Sequence, residues 1–169
     1  MSIVVMKFGG TSVSNFEKIK NISKKVIRQV KKKKKVIVVV SAMGKTTDRL
    51  IKEYSKFSKC YFNPEYDNVI STGEQITSGL LASYLNENKV SSRSILGWQI
   101  PIKTDSVHGK ARISSILKNK IQKMFDSFDV LVMAGFQGIS EEHRITTLGR
   151  GGSDTSAVAI AASLKADVC

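Results

Sequence analysis

The feature of this sequence that most constrains its fold is a run of five β-branched residues at positions 36–40, VIVVV. A half-exposed strand alternates polar and apolar side chains, and this run does not, so both faces of the strand should be covered. Segments of strand and helix character alternate along the rest of the chain. We therefore predict an α/β fold in which a mostly parallel sheet is sandwiched between helices.

The other elements are predicted from apolar periodicity and helix start signals. Strands are expected at residues 3–8, 35–40, 94–96 and 129–134, and helices from residue 15 and at 47–55, 66–86 and 152–164, with a weaker helical stretch at 111–125. The Ser14-x-x-Glu17 pattern predicts a capping box for the first helix, and Ser153 is expected to cap the last. Residues 166–169 look like the start of a further strand.

The net charge of +13 lies in the N-terminal part of the chain, since residues 1–60 hold 16 Lys and Arg against 3 Asp and Glu. The lysines are densest at residues 15–35, where apolar side chains recur every three or four positions, so we predict an amphipathic helix with a basic outer face. Nucleic acid is an alternative partner for that face. It is disfavoured because no aromatic residues interleave with the lysines and no nucleic-acid-binding motif accompanies them.

The location of the protein is inferred from what the sequence does not contain. No apolar run approaches the ~20 residues that span a bilayer, and Met1 leads directly into a strand, so we expect a cytoplasmic protein without a membrane segment. Cys60 and Cys169 have neither metal-ligand nor disulfide spacing, as is typical of a reducing compartment. We expect no metal-ligating side chains.

Loops that contain glycine follow three of the predicted strands, at residues 9–12, 41–44 and 135–138. In parallel sheets, ligands bind beyond the carboxyl ends of the strands, where such loops meet. We therefore expect the functional site at this edge of the sheet.

Residues 147–156, TLGRGGSDTS, combine three glycines and an arginine with a predicted helix start. Backbone N–H groups at the positive end of a helix favour an anion, and a guanidinium can hold a carboxylate or phosphate through two parallel hydrogen bonds. The alternative is a flexible turn with an ordinary cap at Ser153. We favour the anion site because the glycines and the arginine occur together.

The opening segment, MKFGGTS at residues 6–12, offers a similar choice between a strand-to-helix turn and a phosphate site. It differs from a P-loop because its lysine precedes the glycines. Lys7 nevertheless lies at the carboxyl end of a strand, from where an ammonium group could reach the oxygens of a polyphosphate. Two glycine-rich loops with a fixed cation in each are better explained by one anionic reaction than by coincidence.

Glu74 and the two histidines are less informative. Glu74 is either a surface helix residue or part of the site, and Gly73 inside a predicted helix suggests that another group approaches closely there. His108 and His143 lie among polar residues in predicted loops, where a histidine is usually exposed to solvent. We find no partners for either.

Five segments together resemble the aspartate kinase family, in the order and spacing of its bacterial lysine-sensitive type, and are similar more distantly to other amino acid kinases. They are residues 7–12, 41–48, 71–75, 134–138 and 146–156. The resemblance spans nearly the whole chain. It implies the three-layer amino acid kinase fold.

The resemblance also implies a reaction, in which ATP phosphorylates the side-chain carboxylate of L-aspartate to give 4-phospho-L-aspartate. This is the entry to the biosynthesis of lysine, diaminopimelate, methionine and threonine. Mg²⁺ would accompany ATP. Lys7 and Asp154 would be the catalytic residues. The phosphates would lie against Lys7, Phe8, Gly9, Gly10, Thr11, Ser12, Gly151 and Gly152, and L-aspartate against Ser41, Thr47, Glu74, Arg150 and Ser153.

The sequence departs from the family pattern at its end, because a catalytic domain of the family continues into a lobe that holds adenine and ribose and then into regulatory ACT domains. Residues 1–169 are therefore expected to be the amino-acid-binding and phosphate-facing portion of such a domain, truncated before the ATP-binding lobe. We expect little turnover by this portion alone, and either a homo-oligomer or association with a separate C-terminal lobe. The alternative is a noncatalytic amino-acid-binding module.

Overall fold

A computed structural model describes residues 2–100 and 102–169. Within them the chain forms eight β-strands and six α-helices. The strands are β1 (Ile3–Phe8), β2 (Lys35–Val40), β3 (Ser92–Ile95), β4 (Ile102–Thr104), β5 (Ile113–Ile116), β6 (Val130–Ala134), β7 (Gln137–Ile139) and β8 (Ile145–Thr147). The helices are α1 (Phe16–Lys31), α2 (Thr46–Tyr54), α3 (Pro64–Ile70), α4 (Thr72–Glu87), α5 (Lys118–Met124) and α6 (Gly152–Leu164).

Four strands form a parallel sheet in the order β1-β2-β6-β3. The β-branched run of β2 lies between β1 and β6, and all five of its residues are buried. The predicted parallel sheet is therefore confirmed.

Two apolar cores lie on opposite faces of this sheet because successive side chains of a strand point in opposite directions. Ile37 and Val39 of β2 pack in the first core, where α5 and α6 contribute Ile121, Ile160 and Leu164. Val36, Val38 and Val40 pack in the second, where α1 and α4 contribute Ile22, Val26, Leu81 and Leu85. Helices thus cover both faces of the sheet, as expected.

A second four-stranded sheet, in the order β5-β4-β7-β8, was not predicted. Its outer pairs are antiparallel and its central pair, β4 with β7, is parallel. Three of its strands have only three residues each, too few to show an alternating pattern. The helical interpretation of residues 111–125 was partly wrong, because β5 occupies the first part of that range and α5 the second.

The predicted helix at residues 66–86 is two helices, α3 and α4, which meet at Ser71. Two helix caps also differ from prediction. Asn15, rather than Ser14, caps α1, and its side chain accepts a hydrogen bond of 3.0 Å from the Lys18 N–H. Helix α6 begins after Gly151, whose left-handed backbone takes the place of a Ser153 cap.

The basic helix and the end of the chain agree with expectation. Helix α1 buries Ile19, Ile22 and Val26 and directs most of its lysines outward. Near the end of the chain, Val168 forms an isolated parallel bridge with Val4 of β1, and the Val5 N–H donates to the Val168 carbonyl oxygen at 2.9 Å. None of the helices in the described ranges combines the length and apolarity that a bilayer crossing requires.

The packing of β2 predicts a large difference between two isoleucines. Ile37 is fully buried, whereas Ile76 is 54% exposed on α4. Replacing Ile37 with Ala should lower the free energy of unfolding by about 2–5 kcal/mol because it leaves a cavity. The matched Ile76→Ala change should stay within about 0.5 kcal/mol of the wild type. Urea denaturation measures both, and equal losses would contradict the assignment of Ile37 to the core.

Candidate active site

Three neighbouring strands of the parallel sheet end level with one another. Phe8 of β1 pairs with Val40 of β2, which in turn pairs with Ala134 of β6. A cavity of about 280 Å³ lies beyond these ends, where parallel sheets bind ligands. It is lined by Lys7, Gly10, Ser41, Ala42, Gly44, Thr47, Glu74, Phe136, Gly149, Arg150, Gly151, Gly152, Ser153 and Asp154.

Lys7 is the cation on the strand side of the cavity. Its Nζ lies 2.8 Å from Oδ1 of Asp154, in the first turn of α6. The Asp154 side chain is 68% exposed, so this ion pair adds little to folding stability. Its effect is to hold the ammonium group at the mouth of the cavity. The two residues predicted to be catalytic are therefore in contact, and their roles remain predictions.

The loop from β8 to α6 brings Arg150 to the lining of the same cavity. Gly149 and Gly151 adopt φ values of 74° and 76°, which glycine tolerates without strain. The Gly152 N–H donates to the Gly149 carbonyl at 3.0 Å and closes the turn onto α6. The Arg150 side chain is exposed and forms no ion pair with any residue that the structure describes. Its guanidinium is free to bind an anion beside the positive end of a helix.

Hydroxyl groups line the same cavity as the two cations. Ser41 follows β2, and its Oγ is 3.0 Å from Oγ of Ser153 on α6. Thr47, in the first turn of α2, lines the same cavity. These side chains supply uncharged hydrogen-bonding groups next to Lys7 and Arg150.

Glu74 is the buried acid of the site, with 3% of its surface exposed. Its Oε1 accepts a hydrogen bond of 2.9 Å from the backbone N–H of Ala42. Its Oε2 is buried and has no hydrogen-bond partner among the described residues. Burial raises the pKa of this carboxyl to about 7, against the smaller opposing effect of the Ala42 hydrogen bond. A buried oxygen without a partner at the wall of a cavity is suited to a ligand that donates hydrogen bonds.

Two glycines allow the loop after β2 to pack tightly. A Cβ on Gly73 would lie 2.7 Å from Cβ of Ala42, and one on Gly10 would lie 2.8 Å from the Ala42 carbonyl oxygen. The close approach predicted at Gly73 is confirmed, and the approaching group is Ala42. At Gly10 the space is likewise taken by protein backbone, which explains this glycine without a phosphate.

Four of the predicted site residues do not line the cavity. Phe8 packs in the second core, and a Cβ on Gly9 would stand 3.5 Å from the Lys7 Nζ. Thr11 and Ser12 border a separate depression together with Lys18, whose Nζ donates to the Thr11 carbonyl at 2.7 Å. The structure gives these four no contact with the cavity, and their phosphate-binding role remains a prediction.

Sequence reasoning did not assign a role to four residues that do line the cavity: Ala42, Gly44, Phe136 and Gly149. Phe136 has a φ of 70°, which is uncommon for an aromatic residue. The signal for Phe136 was its place between two glycines in the loop after β6. No sequence signal identifies Ala42, because it acts through its backbone N–H.

The exposed loop position expected for His108 is wrong. Its side chain is 9% exposed, and Nδ1 lies 2.7 Å from Oδ2 of Asp67 on α3. Sequence reasoning missed this pair because the two residues are far apart in the chain. His143 is exposed, as expected.

Metal-ligating side chains do not cluster in the part of the chain that the structure describes, since no group of three or more His, Cys, Asp or Glu residues is suitably placed. Asp154, the carboxylate nearest to Lys7, is already engaged by its ammonium group.

Comparisons with known proteins agree on one family. Residues 2–169 match the model of the amino acid kinase family. The chain is 51% identical over its whole length to an aspartokinase of Bacillus sp. (strain MGA3), and it covers 41% of that protein. With an aspartokinase of Geobacillus stearothermophilus the identity is 48%, over 42% of that protein. This chain thus spans about two-fifths of the length of these curated relatives.

Solved structures show the same fold. An aspartate kinase from Synechocystis superposes with a TM-score of 0.81 at 43% identity, over all of this chain and 28% of the other. The TM-score is 0.82 with E. coli aspartokinase III, solved in complex with aspartate and ADP, at 23% identity over 99% of this chain and 48% of the other. The second likeness establishes fold alone.

The environment of Glu74 predicts a pH dependence of stability. Its folded pKa of about 7 lies above the ordinary 4.5, so the folded state binds more protons between these values. The free energy of unfolding should then fall as the pH rises through that window, by about 3 kcal/mol at most.

Glu74→Gln removes this titration and serves as the reference. Urea denaturation should find the variant close to the wild type at pH 5 and increasingly more stable than it towards pH 8. A constant difference between the two proteins across this range would contradict a raised pKa at Glu74.

Proposed function

The chain belongs to the amino acid kinase family, and we propose that it serves the ATP-dependent phosphorylation of the side-chain carboxylate of L-aspartate to 4-phospho-L-aspartate. The observation that carries this proposal is the convergence of Lys7, Arg150 and the unpartnered Oε2 of Glu74 on one cavity. Two cations and one buried acid complement the charges of an amino dicarboxylate. The similarity to aspartokinases supports the same substrate.

L-aspartate has one ammonium group and two carboxylates, and each has a counterpart in the cavity. Glu74 accepts hydrogen bonds from the ammonium group through Oε2. Arg150 binds a carboxylate through its guanidinium fork. The hydroxyls of Ser41, Thr47 and Ser153 complete the polar lining. The side-chain carboxylate is then directed towards Lys7.

Phosphoryl transfer requires positioning and charge neutralisation more than covalent work by the protein. A carboxylate oxygen of the substrate attacks the γ-phosphorus, the new O–P bond forms, and the bond to the bridging oxygen breaks as ADP leaves. No proton must be removed from the nucleophile because a carboxylate is already charged at neutral pH. Lys7, held by Asp154, neutralises negative charge on the transferring phosphoryl group.

Mg²⁺ belongs to this proposal as part of the ATP complex. Phosphate oxygens of ATP would supply ligands to the metal ion, which would neutralise charge on the triphosphate. We assign no step to the metal ion.

The activity of the whole protein, its partners and its pathway also belong to the proposal. The curated relatives are more than twice as long as this chain, and we assign the binding of adenine and ribose to protein outside residues 1–169. That protein is either a C-terminal lobe or another subunit of an oligomer. The pathway is the biosynthesis of lysine, diaminopimelate, methionine and threonine in the cytoplasm. The alternative is that these residues only bind an amino acid. This chain could do so, because all the residues proposed to contact L-aspartate lie within it.

Arg150 provides the direct test of the substrate. Replacing it with Ala should weaken L-aspartate binding by about 10- to 100-fold, because a charged hydrogen bond contributes about 1.5–3 kcal/mol. Isothermal titration calorimetry with the full chain measures the affinity. Arg28→Ala, an exposed arginine of α1 outside the cavity lining, is the matched control and should change the affinity less than twofold.

Absence of L-aspartate binding to the wild type, or equal effects of the two arginine changes, would overturn the proposed substrate. A hydroxamate assay with ATP and Mg²⁺ then separates the two functions. Acyl phosphate formation by the chain, alone or with a separately expressed C-terminal lobe of a relative, supports the kinase. Binding without turnover in both cases supports the amino-acid-binding module.

The raised pKa of Glu74, about 7, predicts that L-aspartate binding depends on pH. The ammonium group requires the ionised carboxylate, so binding must release a proton from the protonated form. Affinity should therefore fall about tenfold for each pH unit below about 7 and level off above it. Calorimetry at pH 5.5–8 measures this profile. Glu74→Gln should bind weakly and with little pH dependence; a flat profile in the wild type would exclude Glu74 as the partner of the ammonium group.

A further inference from the structure

A second buried acid, Asp67 on α3, lies outside the cavity and has every hydrogen-bonding position filled. Its side chain has no exposed surface. The backbone N–H of Gly109 donates to both carboxylate oxygens at 3.1 Å, and Thr147 donates to Oδ1 through its hydroxyl. Nδ1 of His108 lies 2.7 Å from Oδ2. The carboxylate oxygens of Asp67 accept these hydrogen bonds, and the His108 tautomer with a proton on Nδ1 supplies a third donor.

The residues that contact Asp67 come from two separate parts of the chain. His108 and Gly109 lie in the turn between β4 and β5, and Thr147 is the last residue of β8. Asp67 thus ties helix α3 to two segments that are 41 and 80 residues away in sequence. We refer to Asp67, His108, Gly109 and Thr147 as the aspartate hub.

The loop that carries Arg150 begins where the aspartate hub ends. The Thr147 carbonyl oxygen accepts a hydrogen bond of 2.8 Å from the Ala111 N–H. The Leu148 N–H donates to the carbonyl oxygen of Phe136 at 2.9 Å. Gly149 lies directly against the turn, since a Cβ there would stand 3.2 Å from the Gly109 carbonyl oxygen. We call residues 148–151, between β8 and α6, the arginine loop. Its first residues therefore pack against a turn that is held in place by the contact between Asp67 and His108.

We propose that Asp67 and His108 are positioning residues, which hold the turn at residues 108–111 and the end of β8 so that residues 149–153 face the cavity. Neither side chain lines the cavity, so they act on a ligand only through the arginine loop. The effect on L-aspartate affinity rests on the proposed function. The effect on the loop itself does not.

The test uses three variants of the full chain. His108→Leu removes the donor to Asp67. His108→Asn keeps a donor, since its amide nitrogen can take the place of Nδ1. His143→Leu makes the matched change at an exposed histidine. Hydrogen–deuterium exchange of the amides of residues 148–153 measures the order of the loop, and calorimetry measures L-aspartate binding.

His108→Leu should raise exchange at residues 148–153 at least tenfold, leave exchange at residues 36–40 near the wild-type rate, and weaken L-aspartate binding about tenfold. His108→Asn should restore both quantities to within about threefold of the wild type, and His143→Leu should leave them unchanged. Wild-type exchange at residues 148–153 in His108→Leu would overturn the inference. So would an increase that His108→Asn does not reverse.

Thr147→Val provides an independent variant if His108→Leu does not fold. It removes the hydroxyl that donates to Asp67 with little change in volume, and it should raise exchange at the same six amides, whereas unchanged exchange would overturn the inference. If the wild type binds no L-aspartate, the proposed function fails. The exchange measurements still decide whether the aspartate hub orders the loop.

Discussion

The register of the parallel sheet is the constraint on which the candidate site depends. Because β1, β2 and β6 end at paired residues, the loops that follow them open at one level of one edge. Lys7 reaches that edge from β1 and Ser41 from β2, while the loop after β6 adds Phe136. A slip of one residue in β2 would exchange the side chains that face the two cores. The paired register of these strands therefore sets the spacing of the polar groups that follow them.

The cavity contains charged groups that folding alone does not satisfy. Glu74 is buried with one oxygen unpartnered, and Arg150 forms no ion pair with the described residues. Burial disfavours the charged form of Glu74 and raises its pKa to about 7. The ammonium group of Lys7 differs from these two groups, because it already forms an ion pair with the carboxylate of Asp154. Groups left unsatisfied at a cavity are expected where a ligand completes them.

Elements with strong local signals were predictable from the sequence, and those that depend on distant contacts were not. The run at residues 36–40 predicted a strand buried on both faces, and the glycines around Arg150 predicted a turn into a helix. The short strands of the second sheet gave no pattern. The break between α3 and α4 was not predicted either. The break is slight, since Ser71 between the two helices keeps a helical backbone, with φ of −71° and ψ of −15°. Gly73 indicated a close approach, but only the structure shows that Ala42 makes it.

Two acids on neighbouring helices show why a buried carboxylate must be interpreted from its partners. Asp67 on α3 accepts hydrogen bonds from Gly109, Thr147 and His108, so it holds parts of the fold together and has no capacity left for a ligand. Glu74 on α4, which lines the cavity, accepts one hydrogen bond, from Ala42, and its second oxygen is buried without a partner among the described residues. Both residues lie in helices, and only Glu74, beside Gly73, was singled out from the sequence. A carboxylate that receives several hydrogen-bond donors from the protein stabilises the fold. A carboxylate that receives few can bind a ligand.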